Sequence, residues 1–314
     1  GAFVEGVRNE DFHIKGRPYL DGFKAISAPK MAVRIQAIRG DRASIEFRGF
    51  PPKARDDLMK ALGDKLTVQE GDWNCANTFV FNNKRKPFDD VRVRRALTMA
   101  VDRWNGSKHV SKIAIVKSVG GIVYPNSPLA ATKEELQKLA GYGPDIKAAR
   151  AEARRLLKEA GVENLTFDLH NRAVDQPYKL VGTWLIDQWR QIGVKVTQKA
   201  VPTGQWFDIY KVTHDFDVGV YANCQSVINP LADISMWTCG ASNNYSGCED
   251  PMVDELFDKM NREPDPAKQR VLMRQIETRV VDEKAYMAMV LWWYKINPHR
   301  SYVKGWKIAP SHYL

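Results

Sequence analysis

No run of this 314-residue sequence approaches the roughly 18 consecutive apolar residues that a membrane-crossing helix needs. The longest apolar stretch, Met287 to Trp293, is only long enough for a strand. The first residues show no basic stretch followed by an apolar one, so no targeting segment is read there. Familiar catalytic patterns are also missing: no GxSxG elbow, no HExxH helix, no phosphate-cradling Walker loop and no GxGxxG turn. Histidine is scarce, and none of His13, His109, His170, His214, His299 and His312 lies three or four residues from another, which excludes a paired metal ligand on one helix. The four cysteines, Cys75, Cys224, Cys239 and Cys248, contain no CxxC pair, so a structural zinc site is not expected. Adjacent carboxylates such as Asp56-Asp57 and Asp89-Asp90 point apart in a helix or turn and read as caps or solvated charge. Neither a catalytic centre nor a metal or cofactor is therefore expected.

Acidic residues are the minority, 37 against 47 basic, leaving a net charge of +10. Such a balance suits nucleic acid, an acidic ligand or a basic solvated face. The charges fall in mixed runs such as Lys147 to Lys158, which favours the solvated face, and no nucleic-acid-binding signature accompanies them. With 44% apolar and 27% charged residues the chain is an ordinary globular one, long enough for two lobes or one large domain. Cys239 and Cys248 bracket a turn-rich stretch able to bring their Cα atoms to bridging distance, although four buried thiols are an equally open reading at this point.

The opening seventy residues read as short strands and loops, with Ala32 to Ile38 undecided between helix and strand. A strand over Trp73 to Asn82 precedes a helix capped by Asp89 and running to about Asp102. Gly106 to Pro144 reads as a long irregular stretch, after which Asp145 caps an amphipathic helix stopped by Gly161. Strands at Leu165 to Leu169, Val194 to Val201 and Phe216 to Tyr221 alternate with helices at Gln176 to Ile192 and Gly204 to Val212, the pattern of an α/β lobe with crossover connections. Helices at Pro251 to Asn261 and Pro266 to Asp282 and a strand at Tyr286 to Tyr294 follow. Trp73, Trp206, Tyr221, Trp237, Trp292 and Trp293 fall at strand ends or beside turns, where they can wall a ligand cleft; core packing is the competing reading for each.

Lys86-Pro-Phe-Asp-Asp-Val-Arg-Val-Arg-Arg-Ala-Leu-Thr-Met-Ala-Val-Asp-Arg103 resembles a signature of the family 5 extracellular solute-binding proteins, the oligopeptide, dipeptide and nickel type that serves ABC importers. Further landmarks recur in order: Lys15 to Gly22, Arg150 to Gly161, Trp189 to Val196, Asn244 to Leu256, and Val303 to Trp306 with Pro310 to Tyr313. The resemblance implies a two-lobed α/β fold of the periplasmic-binding-protein type II kind. It also implies a chain that starts where the first lobe of longer members is well advanced. The expected division is residues 1–76 as a partial first lobe, 77–294 as a complete ligand-binding lobe and 295–314 as the return to the first. The crossing strands would be Asn77 to Asn82 and Val290 to Asn297, able to act as a hinge.

The resemblance further implies the disulfides Cys75–Cys224 and Cys239–Cys248 and a periplasmic location. The implied role is capture of a small polar solute or peptide by a monomer, for delivery to permease subunits in the inner membrane. A secreted hydrolase acting on a polar small molecule is the alternative. Peptide binders of the family place an aspartate soon after the strand that here is Phe216 to Tyr221. This chain has no carboxylate there until Asp233, which points to an opine-like compound, a sugar conjugate or an anionic metabolite rather than a free amine. Arg172 is the best-placed cation for an acidic group, with Trp206, Tyr210, Tyr221, Asn223, Gln225 and Asn229 as lining. Asn77, Trp73, Trp237, Trp292 and Trp293 complete the expected site.

Overall fold

A computed structural model describes residues 2–226 and 229–311; His312 and Tyr313 of the terminal landmark lie outside the described residues. Eight strands form: β1 (Phe3–Val7), β2 (Gly22–Ile26), β3 (Leu66–Phe81), β4 (Val116–Ser118), β5 (Thr166–Arg172), β6 (Lys195–Val201), β7 (Val218–Cys224) and β8 (Met287–Arg300). β1 and β2 make a separate antiparallel pair, and the others form one sheet in the order β4-β8-β3-β7-β5-β6. β5 runs parallel to both β6 and β7, whereas β3 runs antiparallel to β7 and β8. This is a mixed α/β architecture, with helices covering both faces of the sheet.

The central pair β3–β8 organises everything else. Its first leg pairs Leu66 to Asp72 with Arg300 to Tyr294, and its second pairs Ala76 to Val80 with Trp292 to Met287. Between them the register slips, and there β3 picks up β7 on its other side, beginning with Cys75 opposite Cys224. A slip of this kind bends and twists a strand locally. At the break the backbone of Asn74 finds partners outside the β8 ladder. Asn74 N–H donates to Pro310 O and its carbonyl accepts from Gln225 N–H. The ammonium of Lys295, 3% exposed, donates to Ala309 O and Ser311 O and sits over the Trp73 ring.

Alternation along the strands separates two cores. Phe79, Phe81, Val290 and Trp293 face a cluster with Leu97, Leu157, Leu185 and Trp189. Val80, Met287, Met289 and Trp292 face the other way, onto Trp206, Tyr210, Trp237, Leu256 and Ile276. Six tryptophans are essentially fully buried, and burying each large aromatic contributes about 1.5–3 kcal/mol. Two buried arginines tie helices to the sheet through backbone carbonyls instead of carboxylates. Arg94 donates to Phe88, Asp89, Lys284 and Ala285 carbonyls. Arg103, wholly buried over the Tyr142 ring, donates to Met289, Thr98, Val101 and Gly141 carbonyls.

The early part of the chain departs from the expectation of strands and loops. Ala32 to Ile38 belongs to a helix, Met31–Arg39, and a second helix, Pro52–Leu62, follows. Their apolar contacts are few, Ile38 with Phe50, Ala54 and Leu58, which is why their periodicity was weak. The irregular stretch after residue 106 contains the end of a helix, Arg103–Val110, a second short one, Lys133–Leu136, and β4. Asp90, not Asp89, caps the helix Val91–Met99, accepting Arg92 N–H at 2.8 Å. Asp89 is spent one step earlier, its N–H on Arg85 O in the preceding turn.

Thr132 and Glu135 form a reciprocal capping box at Lys133–Leu136. The guanidinium of Arg270, 2.9 Å away, holds the Glu135 carboxyl well down, to about 2. A carboxyl held below its unfolded value near 4.3 adds stability that is complete above that value and lost as the pH falls towards about 2. The stability advantage of the native chain over Glu135→Gln should therefore shrink between about pH 4.5 and 2. Thermal melts of the two proteins across that window check this, and an advantage that does not change with pH contradicts it.

Candidate functional site

The carboxyl ends of the parallel strands β5, β6 and β7 open onto one edge of the sheet, the usual place for a ligand in an open α/β sheet. Arg172 closes β5 there. Its Nη1 donates to Tyr178 Oη at 2.6 Å, and Nε and Nη2 donate to Thr203 Oγ1 at 3.3 and 3.1 Å. All these acceptors are neutral, and among the described residues Arg172 has no carboxylate partner. The guanidinium also lies over the Tyr178 ring, 4.5 Å from its centroid. Tyr178 is buried, which pushes its phenol up, while the charges of Arg172 and then Arg48 pull it back.

From Tyr178 a chain of aromatic and amide contacts runs through the sheet, from the face of Trp293 to the face of Trp206 and Tyr210. Tyr178 meets Trp293 edge-on at 6.0 Å, and Trp293 meets Trp73 edge-on at 5.1 Å. Trp293 Nε1 donates to Asn77 Oδ1 at 2.7 Å, and Asn77 Nδ2 donates to Tyr221 O at 3.4 Å. Tyr221 stacks on Trp206, and Trp206 on Tyr210. Gly219 is what admits Tyr210: a Cβ there would overlap the phenol oxygen, so no other residue fits beneath that ring. Burial pushes the Tyr221 phenol up, with Tyr245 adding to the effect.

Of the expected residues, Trp73, Asn77, Trp206, Tyr210, Gln225, Trp237, Trp292 and Trp293 are buried. Arg172, Tyr221 and Asn223 are half-buried, and Asn229 is exposed. The contacts just described link seven of them, Arg172, Trp293, Trp73, Asn77, Tyr221, Trp206 and Tyr210, but Trp73 and Trp293 lie on one face of the sheet and Trp206 and Tyr210 on the other. Trp237 lies in the same core as Trp206 and Tyr210, beside Met236 and Ile234. Trp292 donates to Gly121 O and packs against Tyr124 on the opposite face from Trp293. Gln225 is a brace: its amide takes Tyr124 N–H and gives to Ile122 O, fixing the 120–126 loop beside the end of β7. Glu277, buried in the second core, accepts Ile122 N–H from the same loop, and burial pushes its carboxyl up.

Tyr178, Thr203 and Asp233 were not among the expected residues. Asp233 follows β7 by nine residues, yet its carboxylate returns to accept Ser226 N–H at 2.6 Å, and its backbone oxygen accepts from Asn223 Nδ2. A carboxylate thus does reach the end of β7, carried by the turn through Pro230 rather than by the strand itself. A larger concavity, about 600 Å3, lies elsewhere, between Lys84, Arg94, Glu249 and Lys284. Its one buried cation, Arg94, is consumed by the four carbonyls named above, and burial lowers it to about 10. Asn83, Asp89 and Lys284 also line that groove, but the edge at Arg172 lies at the carboxyl ends of the parallel strands and is the better candidate.

Both expected disulfides are present, Cys75–Cys224 and Cys239–Cys248. The first joins residues 149 apart in sequence at the point where β3 leaves β8 for β7.

Comparison with known proteins agrees with this fold. Residues 1–245 match the sequence profile of the bacterial extracellular solute-binding proteins, family 5. The chain belongs to that family. The periplasmic oligopeptide-binding protein OppA of Salmonella typhimurium is 24% identical over 306 residues, covering 95% of this chain and 53% of that protein. The dipeptide-binding protein of Escherichia coli is 28% identical over 310 residues, covering 94% of this chain and 54% of that protein. The chain therefore spans about half the length of these curated relatives. Two solved structures share the fold at a TM-score of 0.82. One is AppA from Bacillus subtilis in complex with a nonapeptide, at 18% identity, covering 99% of this chain and 62% of that one. The other is AgaA from A. tumefaciens R10 in complex with agropinic acid, at 20% identity with the same coverage.

The long loop that Cys75–Cys224 closes makes it the more consequential bridge, since cross-linking so distant residues restricts the unfolded chain most. Replacing both cysteines by serine should lower unfolding stability by about 2–5 kcal/mol. It should also speed hydrogen exchange at Tyr124, whose N–H depends on the neighbouring Gln225. Denaturant titration and exchange mass spectrometry read the two effects, and wild-type values for both would contradict the assignment.

Proposed function

We propose that this chain captures a small polar solute at the edge formed by the ends of β5 and β7, as the binding component of an ABC importer outside the cytoplasm. Residues 77–294 would supply the ligand-binding lobe, with 1–76 and 295–314 contributing to the first lobe, and β3 and β8 passing between them. The observation that carries this reading is Arg172: a half-buried guanidinium at the carboxyl end of a parallel strand, held only by neutral oxygens and flanked by stacked aromatics. A cation fixed in this way favours an acidic group on the ligand. Asp233 at the end of β7 supplies the opposite sign, so a zwitterion such as a peptide or an opine suits the edge better than a neutral sugar. The named relatives and neighbours, which bind oligopeptides, dipeptides and agropinic acid, fall within that chemistry.

Capture would involve no covalent change, the solute being released intact to permease subunits in the inner membrane, with a monomer as the acting unit. Native mass spectrometry of the non-reduced protein tests the reading. The expected result is a chain lighter by two hydrogens per disulfide that carries a retained small molecule, released chemically unchanged. Arg172→Ala should weaken retention of that molecule roughly 10- to 100-fold, the range for losing a charge-assisted pair. Release of a converted product, or full retention by Arg172→Ala, would contradict the proposal.

A further inference from the structure

β5 and β6 pair in parallel up to Arg172 opposite Val201, so Thr203, two residues further on, stands beside the end of β5. The ends of the two strands are tied together. Ala173 N–H donates to Val201 O at 2.7 Å. The buried Asn171 accepts Arg172 N–H on Oδ1 at 2.8 Å and donates from Nδ2 to Tyr178 O at 2.7 Å and to Gln198 Oε1, on β6, at 2.8 Å. Gly182 leaves room for that amide pair, since a Cβ there would stand 2.2 Å from Gln198 Oε1 and 2.6 Å from Asn171 Nδ2. One buried side chain thus fixes the backbone of the cation, of the tyrosine beneath it and of the neighbouring strand.

On this frame the polar groups are spent unevenly. Thr203 Oγ1 accepts both Nε and Nη2 of Arg172, at 3.3 and 3.1 Å, which uses both of its lone pairs. The hydroxyl is left with only its proton to offer, and among the described residues that proton has no acceptor. Tyr178 Oη takes one N–H of Nη1 at 2.6 Å while its ring backs the guanidinium. Three of the five N–H groups are then engaged, and one on each Nη nitrogen remains. What this cluster offers a ligand is therefore donors around one positive charge, with no acceptor among them. A carboxylate can accept from all of them, whereas a carboxamide turns an NH2 towards donors and brings no charge. Sites built to pair a polar group reject the analogue that cannot pair far more strongly than apolar pockets do. We propose that Thr203 and Arg172 form an acid-selecting subsite, which accepts a free carboxylate of the solute and refuses the same group capped as an amide. Thr203 acts there twice, aiming the guanidinium with its lone pairs and donating its own proton to the ligand. The subsite rests on the reading of the β5–β7 edge as a solute site and narrows its ligands to those with an unmodified acid group.

Acetate, with acetamide as its neutral twin, probes the subsite at constant ionic strength. In 15N-labelled dialysed protein, the backbone N–H signals of Arg172, Ala173 and Thr203 are followed while each compound is added. Acetate should shift them with one saturable midpoint, and acetamide should leave them in place. Thr203→Val should raise the acetate midpoint about tenfold, and Thr203→Ser, which keeps the hydroxyl, should stay within about twofold of wild type. Thr203 is half-buried at the edge of the sheet, so both variants should keep the wild-type melting temperature. No saturable response to acetate, an equal response to acetamide, or a midpoint indifferent to Thr203→Val would each overturn the subsite. So would a loss in Thr203→Ser as large as that in Thr203→Val. These outcomes are distinct from failure of solute capture, which shows in the native mass spectrum as conversion of the retained molecule.

Discussion

The pairing of β3 with β8, and its interruption between Asp72 and Ala76, is the constraint on which the rest of the structure depends. Before the break the two strands pair with each other and with segments from both ends of the sequence. After it they become the middle of a six-stranded sheet. Several braces converge on this transition. Cys75–Cys224 fixes where β7 joins, Gln225 holds the 120–126 loop, and Lys295 draws in the segment near residue 310. A break in a ladder weakens the sheet locally, so a covalent link and several side-chain braces placed there compensate for lost backbone pairing.

Around the transition the chemistry of the edge is set by what the cations lack. Most arginines of this chain are neutralised, either by carboxylates, as Arg85 is by Asp215 and Asp217, or by backbone carbonyls, as Arg94 is. Arg172 departs from that habit. Positive charge without a carboxylate partner beside buried aromatics is costly to keep, and on β7's extension the Asp233 carboxylate accepts Ser226 N–H.

Much of this was legible in the sequence, for identifiable reasons. The helix Ile146–Glu159 announced itself by the Asp145 cap and by Gly161, whose φ of 73° suits a left-handed stop. The alternation of strands and helices between residues 165 and 224 gave the α/β character directly. Arg172 could be singled out as a candidate because strand ends concentrate ligand contacts. The buried fate of Trp237 was not legible, since a tryptophan beside a turn packs inward or outward depending on partners remote in sequence. Asp233 was hidden for a related reason: its approach to Ser226 depends on the path of the intervening turn, which carries no periodic signal. The helix Met31–Arg39 was left undecided and the helix Pro52–Leu62 was missed because each buries only one or two side chains, too few to impose a pattern.

The two buried arginines of the sheet have one more consequence. Arg94 and Arg103 anchor helices through carbonyl dipoles shielded from solvent, not through exposed ion pairs. Dissolved salt screens exposed charges, with a Debye length of about 10 Å at 0.1 M, but it cannot enter a closed interior to screen a guanidinium against a carbonyl. The internal joints of this molecule are therefore indifferent to ionic strength, while surface pairs such as Lys53–Asp57 and Arg155–Glu159 are not. A chain built this way keeps its architecture when the surrounding salt swings widely, and lets only its surface and its ligand edge register the change.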